Sequence, residues 1–224
     1  MIITGDGSHS LLNTALDETY HSRHGAVQES IYVFINKGLE HWLGQTGSNS
    51  TSILEIGFGT GLNALLTAQY SKDHSTKIEY STLEAFPVEQ SIWTQLNYAD
   101  SPESKALFKK LHDAEWNKQQ EITSDFKLIK IHDTLQHIEL SAAAFDLIYY
   151  DAFAPNKQPE MWEYAALEKV VKSMKANSVF VTYCAKGQLK RDLRSLGLQV
   201  ETLDGPPGKK EMIRATKSTS QETH

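Results

Sequence analysis

The stretch Leu54-Glu55-Ile56-Gly57-Phe58-Gly59-Thr60-Gly61-Leu62-Asn63 carries the reading of the fold. The apolar run over 52–57 has strand character, and LNALLTAQY over 62–70 has the apolar spacing of a helix. Between them, three glycines at alternate positions let the backbone turn sharply and let a ligand approach without Cβ collisions. A dinucleotide fingerprint, G-x-G-x-x-G/A, requires Gly or Ala at position 62, where this chain has Leu62. A Walker loop is excluded too, because no Gly-Lys-Ser/Thr closes the turn. The turn therefore belongs to a ligand that does not present a pyrophosphate.

Outward from this turn, strand-like runs recur: KIEYSTLE at 77–84, FKLIKIHD at 126–133, FDLIYYD at 145–151, SVFVTYC at 178–184, LQVETL at 198–203 and EMIRAT at 211–216. Helical patterns lie between them, at 62–70 and in MWEYAALEKVVKSMK at 161–175. Strand alternating with helix predicts an α/β fold, a doubly wound seven-stranded sheet that is mostly parallel. The last two runs are separated by little more than GPPGKK, which predicts a C-terminal antiparallel hairpin instead of a crossover. Val27, Ile31, Phe34, Ile35, Leu39 and Trp42 recur at helical spacing after Gly25 and predict an amphipathic helix. Residues 1–45 read as an N-terminal cap and 86–125 as a helical insertion, broken at Ala99-Asp100-Ser101-Pro102. Both additions are expected over the carboxyl ends of the strands, where open α/β sheets bind ligands. A single domain over 1–217 and a polar tail over 218–224 complete the expectation.

Acids follow the turn at informative places. Glu55 precedes Gly57, where a carboxylate suits a cationic ligand better than a diphosphate. Glu84 ends the second strand, where a carboxylate accepts from both hydroxyls of a ribose. Asp133 ends the third, where it can accept from an exocyclic amine. An adenosine carrying an amino acid and a sulfonium satisfies all three, which points to S-adenosyl-L-methionine. The E-x-G-x-G-x-G pattern resembles motif I of the class I, Rossmann-like methyltransferases. Gly57, Gly59, Gly61 and Asn63 are then expected beside the cofactor with Glu55, Glu84 and Asp133.

After the fourth strand comes Asp151-Ala152-Phe153-Ala154-Pro155-Asn156-Lys157-Gln158-Pro159-Glu160-Met161-Trp162, a loop stiffened by two prolines. A strand-end carboxylate here points toward the methyl donor, where it can hold an amine and stabilise the charge that amine gains. This loop resembles the D-G-F-A-P-x-K-N-P-x-M-W segment of the bacterial tRNA (5-methylaminomethyl-2-thiouridine) methyltransferase family. LEIGFGTGLN resembles that family's cofactor turn and GPPGKKEM over 205–212 its glycine-basic segment. Tyr20-His21-Ser22 with Gly25 and Glu29 resembles its Y-F-S…G…E segment. Ala152, Gln158 and Pro206-Pro207 depart from the family pattern. The likeness runs from about Asp6 to Thr216. It implies methylation of the primary amine of 5-aminomethyl-(2-thio)uridine at the tRNA wobble position, with Tyr20, Asp151 and Phe153 lining the acceptor site. Better-known members carry a flavin-dependent oxidase half with no counterpart in this sequence, so the expected substrate is already the aminomethyl form. A methyltransferase of a small-molecule amine, and a non-catalytic RNA-binding protein of the same fold, are the alternatives.

Charge is unevenly placed along the 224 residues. Residues 1–171 hold 12 Lys/Arg against 23 Asp/Glu, whereas 172–217 hold 10 against 4. This basic quarter is expected to follow the backbone of a tRNA anticodon stem-loop, through Lys186, Lys190, Arg191 and Arg194 near one helix and Lys209, Lys210 and Arg214 on the hairpin. Lys157, in the proline loop, is a further expected contact. One cysteine, Cys184, excludes an internal disulfide framework and reads as a small core residue. The nine histidines include no i, i+4 zinc pair, and no metal is expected. With neither a signal segment nor an apolar span, the chain is expected to be cytoplasmic, off the membrane and without a partner chain.

Overall fold

The computed structural model describes residues 1–218. Its centre is an eight-stranded sheet of β1 (Ser50–Ile56), β2 (Lys77–Glu84), β3 (Gln120–Thr123), β4 (Phe126–His132), β5 (Phe145–Tyr150), β6 (Met174–Thr182), β7 (Gln199–Asp204) and β8 (Glu211–Lys217). The strands lie in the order β7-β8-β6-β5-β1-β2-β4-β3. Pairing is parallel from β6 through β5, β1 and β2 to β4. β8 runs antiparallel to both β6 and β7, forming the expected terminal hairpin. The eighth strand is β3, antiparallel to β4 at the sheet edge. It comes from the end of the 86–125 insertion, where only helix was expected; QEIT is too short to show a period.

Alternation along the central strands builds two cores. Ile53 and Tyr149 join one with Phe34, Leu65 and Phe108. Leu54, Ile56, Ile148 and Tyr150 join the other with Leu167, Val170 and Phe180. Each such fully buried side chain contributes about 1.5–3 kcal/mol relative to exposure. Helices α2 (Leu62–His74) and α3 (Pro102–Asp113) cover the first face, and α4 (Tyr164–Ser173) and α5 (Gly187–Ser195) the second. Ser101 caps α3 by accepting from Ser104 N at 3.1 Å, with Pro102 at the first helical position, so the sequence break at 99–102 is a helix start.

The helix after Gly25 spans 26–46 (α1), and its central Ile31–Glu40 is wound as a π-helix. The wider turn shifts the buried stripe: Val33 is inaccessible while Ile31 is 37% exposed. Ahead of α1, Ile2–Ile3 pairs with His9–Ser10 and Leu12–Asn13 with Glu18–Thr19. Asp6 ties this cap to the helix, accepting from Gln28 N at 3.0 Å as well as from Thr4 and Ser8. Burial works to raise the Asp6 pKa, but these hydrogen bonds outweigh it and bring it down to about 2. No helix among the described residues is long and apolar enough to cross a membrane.

Because the depressed Asp6 pKa stabilises the fold only while the group is ionised, Asp6→Ala is expected to lower stability at pH 7 by about 0.5–2 kcal/mol, the cost of a lost cap. Urea midpoints should show this difference shrinking as pH falls toward about 2.

Candidate active site

The strand order reverses between β1 and β5, and the chain leaves both at their carboxyl ends. There a cavity of about 880 Å³ opens, lined by the glycine turn, Glu84, Asp133, the loop from Asp151 and the segment from Tyr20. Such a volume accommodates a nucleoside-sized cofactor together with part of a second reactant.

The glycine turn is a close-packed junction. Gly57 has φ 96°, and a Cβ there would lie 2.9 Å from the Asp151 carbonyl oxygen. Gly59 has φ 51°, and its Cβ would lie 3.1 Å from the Tyr20 ring. Gly61, at φ 75°, precedes α2, whose first residues Leu62 and Asn63 line the cavity. Glu84 reaches back across the turn: its Oε2 accepts from Gly59 N at 2.9 Å and its Oε1 from Phe86 N at 2.8 Å. Each oxygen keeps a lone pair in reserve. Asp133 lies on the same wall, its Oδ1 accepting from Thr134 N at 2.7 Å.

These residues fit S-adenosyl-L-methionine. The cradle has no side chain to obstruct a ligand, the fixed Glu84 carboxylate suits a ribose diol, and the amino end of α2 suits a carboxylate. Glu55 does not face the cavity. Strand alternation sends it inward on the Ile53 side, where it is completely buried and accepts from Thr82 Oγ1 at 2.7 Å. Asn63 is turned toward the other half of the site, its Nδ2 donating to Asp151 Oδ2 at 2.8 Å.

That half contains the three residues expected to bind the acceptor. Tyr20 and Phe153 meet edge to face at 4.9 Å between centroids, with Asp151 beside them in the cavity wall. Burial, reinforced by the charge of Glu29, pushes the Asp151 carboxyl up to about 7, against the opposing effects of Asn63 and Lys209. Burial and the Glu84 charge raise the Tyr20 phenol to about 12, so it remains a neutral donor. The loop is braced at three points: Trp162 Nε1 donates to Phe153 O at 2.7 Å, Tyr183 Oη to Ala152 O at 2.8 Å, and Lys157 Nζ to Asp17 O at 2.9 Å.

The basic residues divide into two groups. Lys209 turns into the cavity, ion-paired with buried Glu29, its ammonium 3.7 Å from the Tyr183 ring centroid. Lys190 pairs with Glu211 and Arg214 with Glu201, both at 2.9 Å. Lys186, Arg191, Arg194 and Lys210 are exposed and have no carboxylate partner among the described residues. Lys209, expected on the RNA backbone, is here the partner of Glu29, and several wall residues carry no signal in the sequence, among them Arg23 and Tyr183. His21 is another: buried, pushed down to about 4 by that burial, and bonded through Nε2 to Thr60 Oγ1 at 2.7 Å. Among the described residues no group of three or more His, Cys, Asp or Glu is arranged to hold a metal ion.

The family model for S-adenosyl-L-methionine-dependent methyltransferases matches residues 97–218. The chain belongs to that family. A Pseudoalteromonas atlantica protein described as a tRNA 5-methylaminomethyl-2-thiouridine biosynthesis bifunctional protein is 30% identical over 94% of this chain and 32% of its own length. A Leptospira interrogans protein of the same description is 27% identical over 98% of this chain and 35% of its own. The chain thus spans about a third of the length of the curated relatives it matches. The crystal structure of MNMC2 from Aquifex aeolicus superimposes with a TM-score of 0.78 at 21% identity, covering 96% of this chain and 70% of that one. The fold is that of the class I methyltransferases.

Gly57→Ala is expected to weaken S-adenosyl-L-methionine binding at least about tenfold by calorimetry, since the new Cβ strains the backbone and displaces the Asp151 carbonyl.

Proposed function

We propose that this chain methylates the primary amine of 5-aminomethyl-(2-thio)uridine at the wobble position of tRNA. The observation that carries the reading is the acceptor half of the cavity, where a recessed carboxylate, Asp151, stands beside the Tyr20–Phe153 aromatic corner. The description of the relatives, which names the methylaminomethyl product, supports the same acceptor.

When bound, S-adenosyl-L-methionine supplies an electrophilic methyl on a sulfonium. The chain's own residues position and hold. Tyr20 and Phe153 pack against a planar base, and the braced loop fixes Asp151 so that its carboxylate accepts from the amine N–H. The neutral amine's lone pair forms the new N–C bond as the S–C bond breaks, its electrons going to sulfur. Nitrogen gains positive charge in that step, and Asp151 stabilises it and takes up the released proton. A carboxyl with a pKa near 7 serves this purpose at neutral pH.

The RNA surface is drawn from the unpaired cations. Lys186, Arg191 and Arg194 on or beside α5, with Lys210 at the hairpin tip, are exposed and are the residues we assign to the phosphates of the RNA. Lys190, Lys209 and Arg214 already serve carboxylates of the protein.

The direct test uses tRNA from cells that make the aminomethyl uridine but cannot methylate it. After incubation with the protein and S-adenosyl-L-methionine, nucleoside mass spectrometry should show one methyl gained on that nucleoside. No gain, together with turnover of a free amine, would assign a small-molecule methyltransferase instead. Asp151→Ala should lower kcat on the order of a hundredfold or more while leaving donor affinity nearly unchanged. Wild-type kcat should fall as pH drops below about 7, where Asp151 becomes protonated. Lys186→Glu combined with Lys210→Glu should raise KM for tRNA about tenfold at moderate salt with kcat maintained, and steady-state kinetics would show it.

A further inference from the structure

The tip of the β7–β8 hairpin is closed by Lys209 N, which donates to Pro206 O at 2.9 Å, and by Gly205 N, which donates to Lys210 O at 3.1 Å. This tip rests on α1 and on the cap segment before it. Tyr32 Oη donates to Asp204 O at 3.0 Å, and Gly208, at φ 87°, lies so close to the His24 ring that a Cβ would overlap it. Docked in this way, the hairpin leaves Lys210 in solvent and turns Lys209 into the cavity.

Lys209 meets two partners there. Its ammonium pairs with Glu29 Oε1, while Glu29 Oε2 accepts from Ser22 N at 2.8 Å. The same ammonium lies 3.7 Å from the centroid of the Tyr183 ring, and Tyr183 Oη donates to Ala152 O at 2.8 Å. Ser22 is two residues from Tyr20, and Ala152 stands between Asp151 and Phe153. The two partners of one cation therefore reach both sides of the edge-to-face contact between Tyr20 and Phe153. An exposed ion pair parts and re-forms at little cost. Glu29 is different, because its side chain is only 7% exposed and its charge needs a partner at that depth. A cation held against an aromatic face is likewise stronger where water is excluded.

We propose that Glu29, Lys209 and Tyr183 form one brace that sets the Tyr20–Phe153 corner and, through Ala152, the placement of Asp151. They are positioning residues, and the terminal hairpin supplies the cation that joins them. The catalytic consequence rests on the acceptor-site reading above, whereas the brace itself is observable in the protein alone.

Fluorine NMR of the ligand-free protein, with 4-fluorophenylalanine in place of Phe153, tests it. One narrow line is expected when the rest of the chain is wild type. Tyr183→Phe keeps the ring against the ammonium and removes the hydrogen bond to Ala152, and it should shift or split that line. The neutral pair Glu29→Gln with Lys209→Met should do the same; it leaves no buried charge unpaired, and a thermal melt confirms that it folds. An unchanged line in either protein would overturn the proposal. Turnover of the anticodon stem-loop gives a second readout. Tyr183→Phe and the neutral pair should each lower kcat about tenfold, with S-adenosyl-L-methionine affinity by calorimetry unchanged. All three substitutions together should cost little more than the neutral pair, because they interrupt one chain; a combined loss of about a hundredfold would refute a shared brace. Wild-type turnover of a free amine but not of the tRNA would overturn the acceptor reading, and the fluorine line would still decide the brace.

Discussion

The site depends on the approach of two neighbouring chain exits. β1 and β5 lie side by side, and at their carboxyl ends the Gly57 turn rests against the carbonyl of Asp151. A Cβ at position 57 would stand 2.9 Å from that oxygen, so the turn on the donor side and the loop on the acceptor side are built against each other. Asn63 and Tyr20 then link the two halves, Asn63 to Asp151 and Tyr20 over Gly59 against Phe153, while Glu84 fixes the turn itself through the Gly59 amide. On the proposed function, this backbone contact would bring donor and acceptor together, which suits a reaction whose catalysis is largely positioning.

Electrostatics suit the same purpose. The cavity wall carries Glu84, Asp133, Asp151 and Glu29, with Lys209 turned in to balance Glu29. Both reactants of an amine methylation carry positive charge, the sulfonium from the start and the nitrogen as the bond forms. Partial burial keeps these carboxylates from being screened, and it also lifts Asp151 into the range where it changes charge near neutrality. Outside the cavity the cations separate into those paired with carboxylates of the protein and those left facing solvent.

Much of this was legible in the sequence because the informative signals are local. The three glycines between a strand and a helix, the acids at strand ends and the proline loop each lie within a short window, and the structure gathers Gly57, Glu84, Asp133, Asp151, Phe153 and Tyr20 around one cavity. Other features depend on partners distant in sequence. Glu29 and Lys209 are separated by 180 positions, so a lysine that reads as part of a basic surface is instead an internal counter-ion. Glu55 read as a cofactor ligand from its place before the turn, but strand alternation buries it. The segment Ile31–Glu40 is wound as a π-helix with Val33 buried and Ile31 partly exposed, which a 3.6-residue period does not anticipate.

The central claim is that one cavity holds the donor at the Gly57 turn and an aminomethyl uridine at Asp151. A crystal structure of the protein with S-adenosylhomocysteine and an anticodon stem-loop carrying 5-aminomethyl-2-thiouridine tests it most directly. The account predicts the extruded base against Tyr20 and Phe153, with its amine nitrogen in hydrogen-bonding contact with Asp151 and directed at the donor sulfur. A base bound elsewhere, or an amine turned away from Asp151, would contradict it.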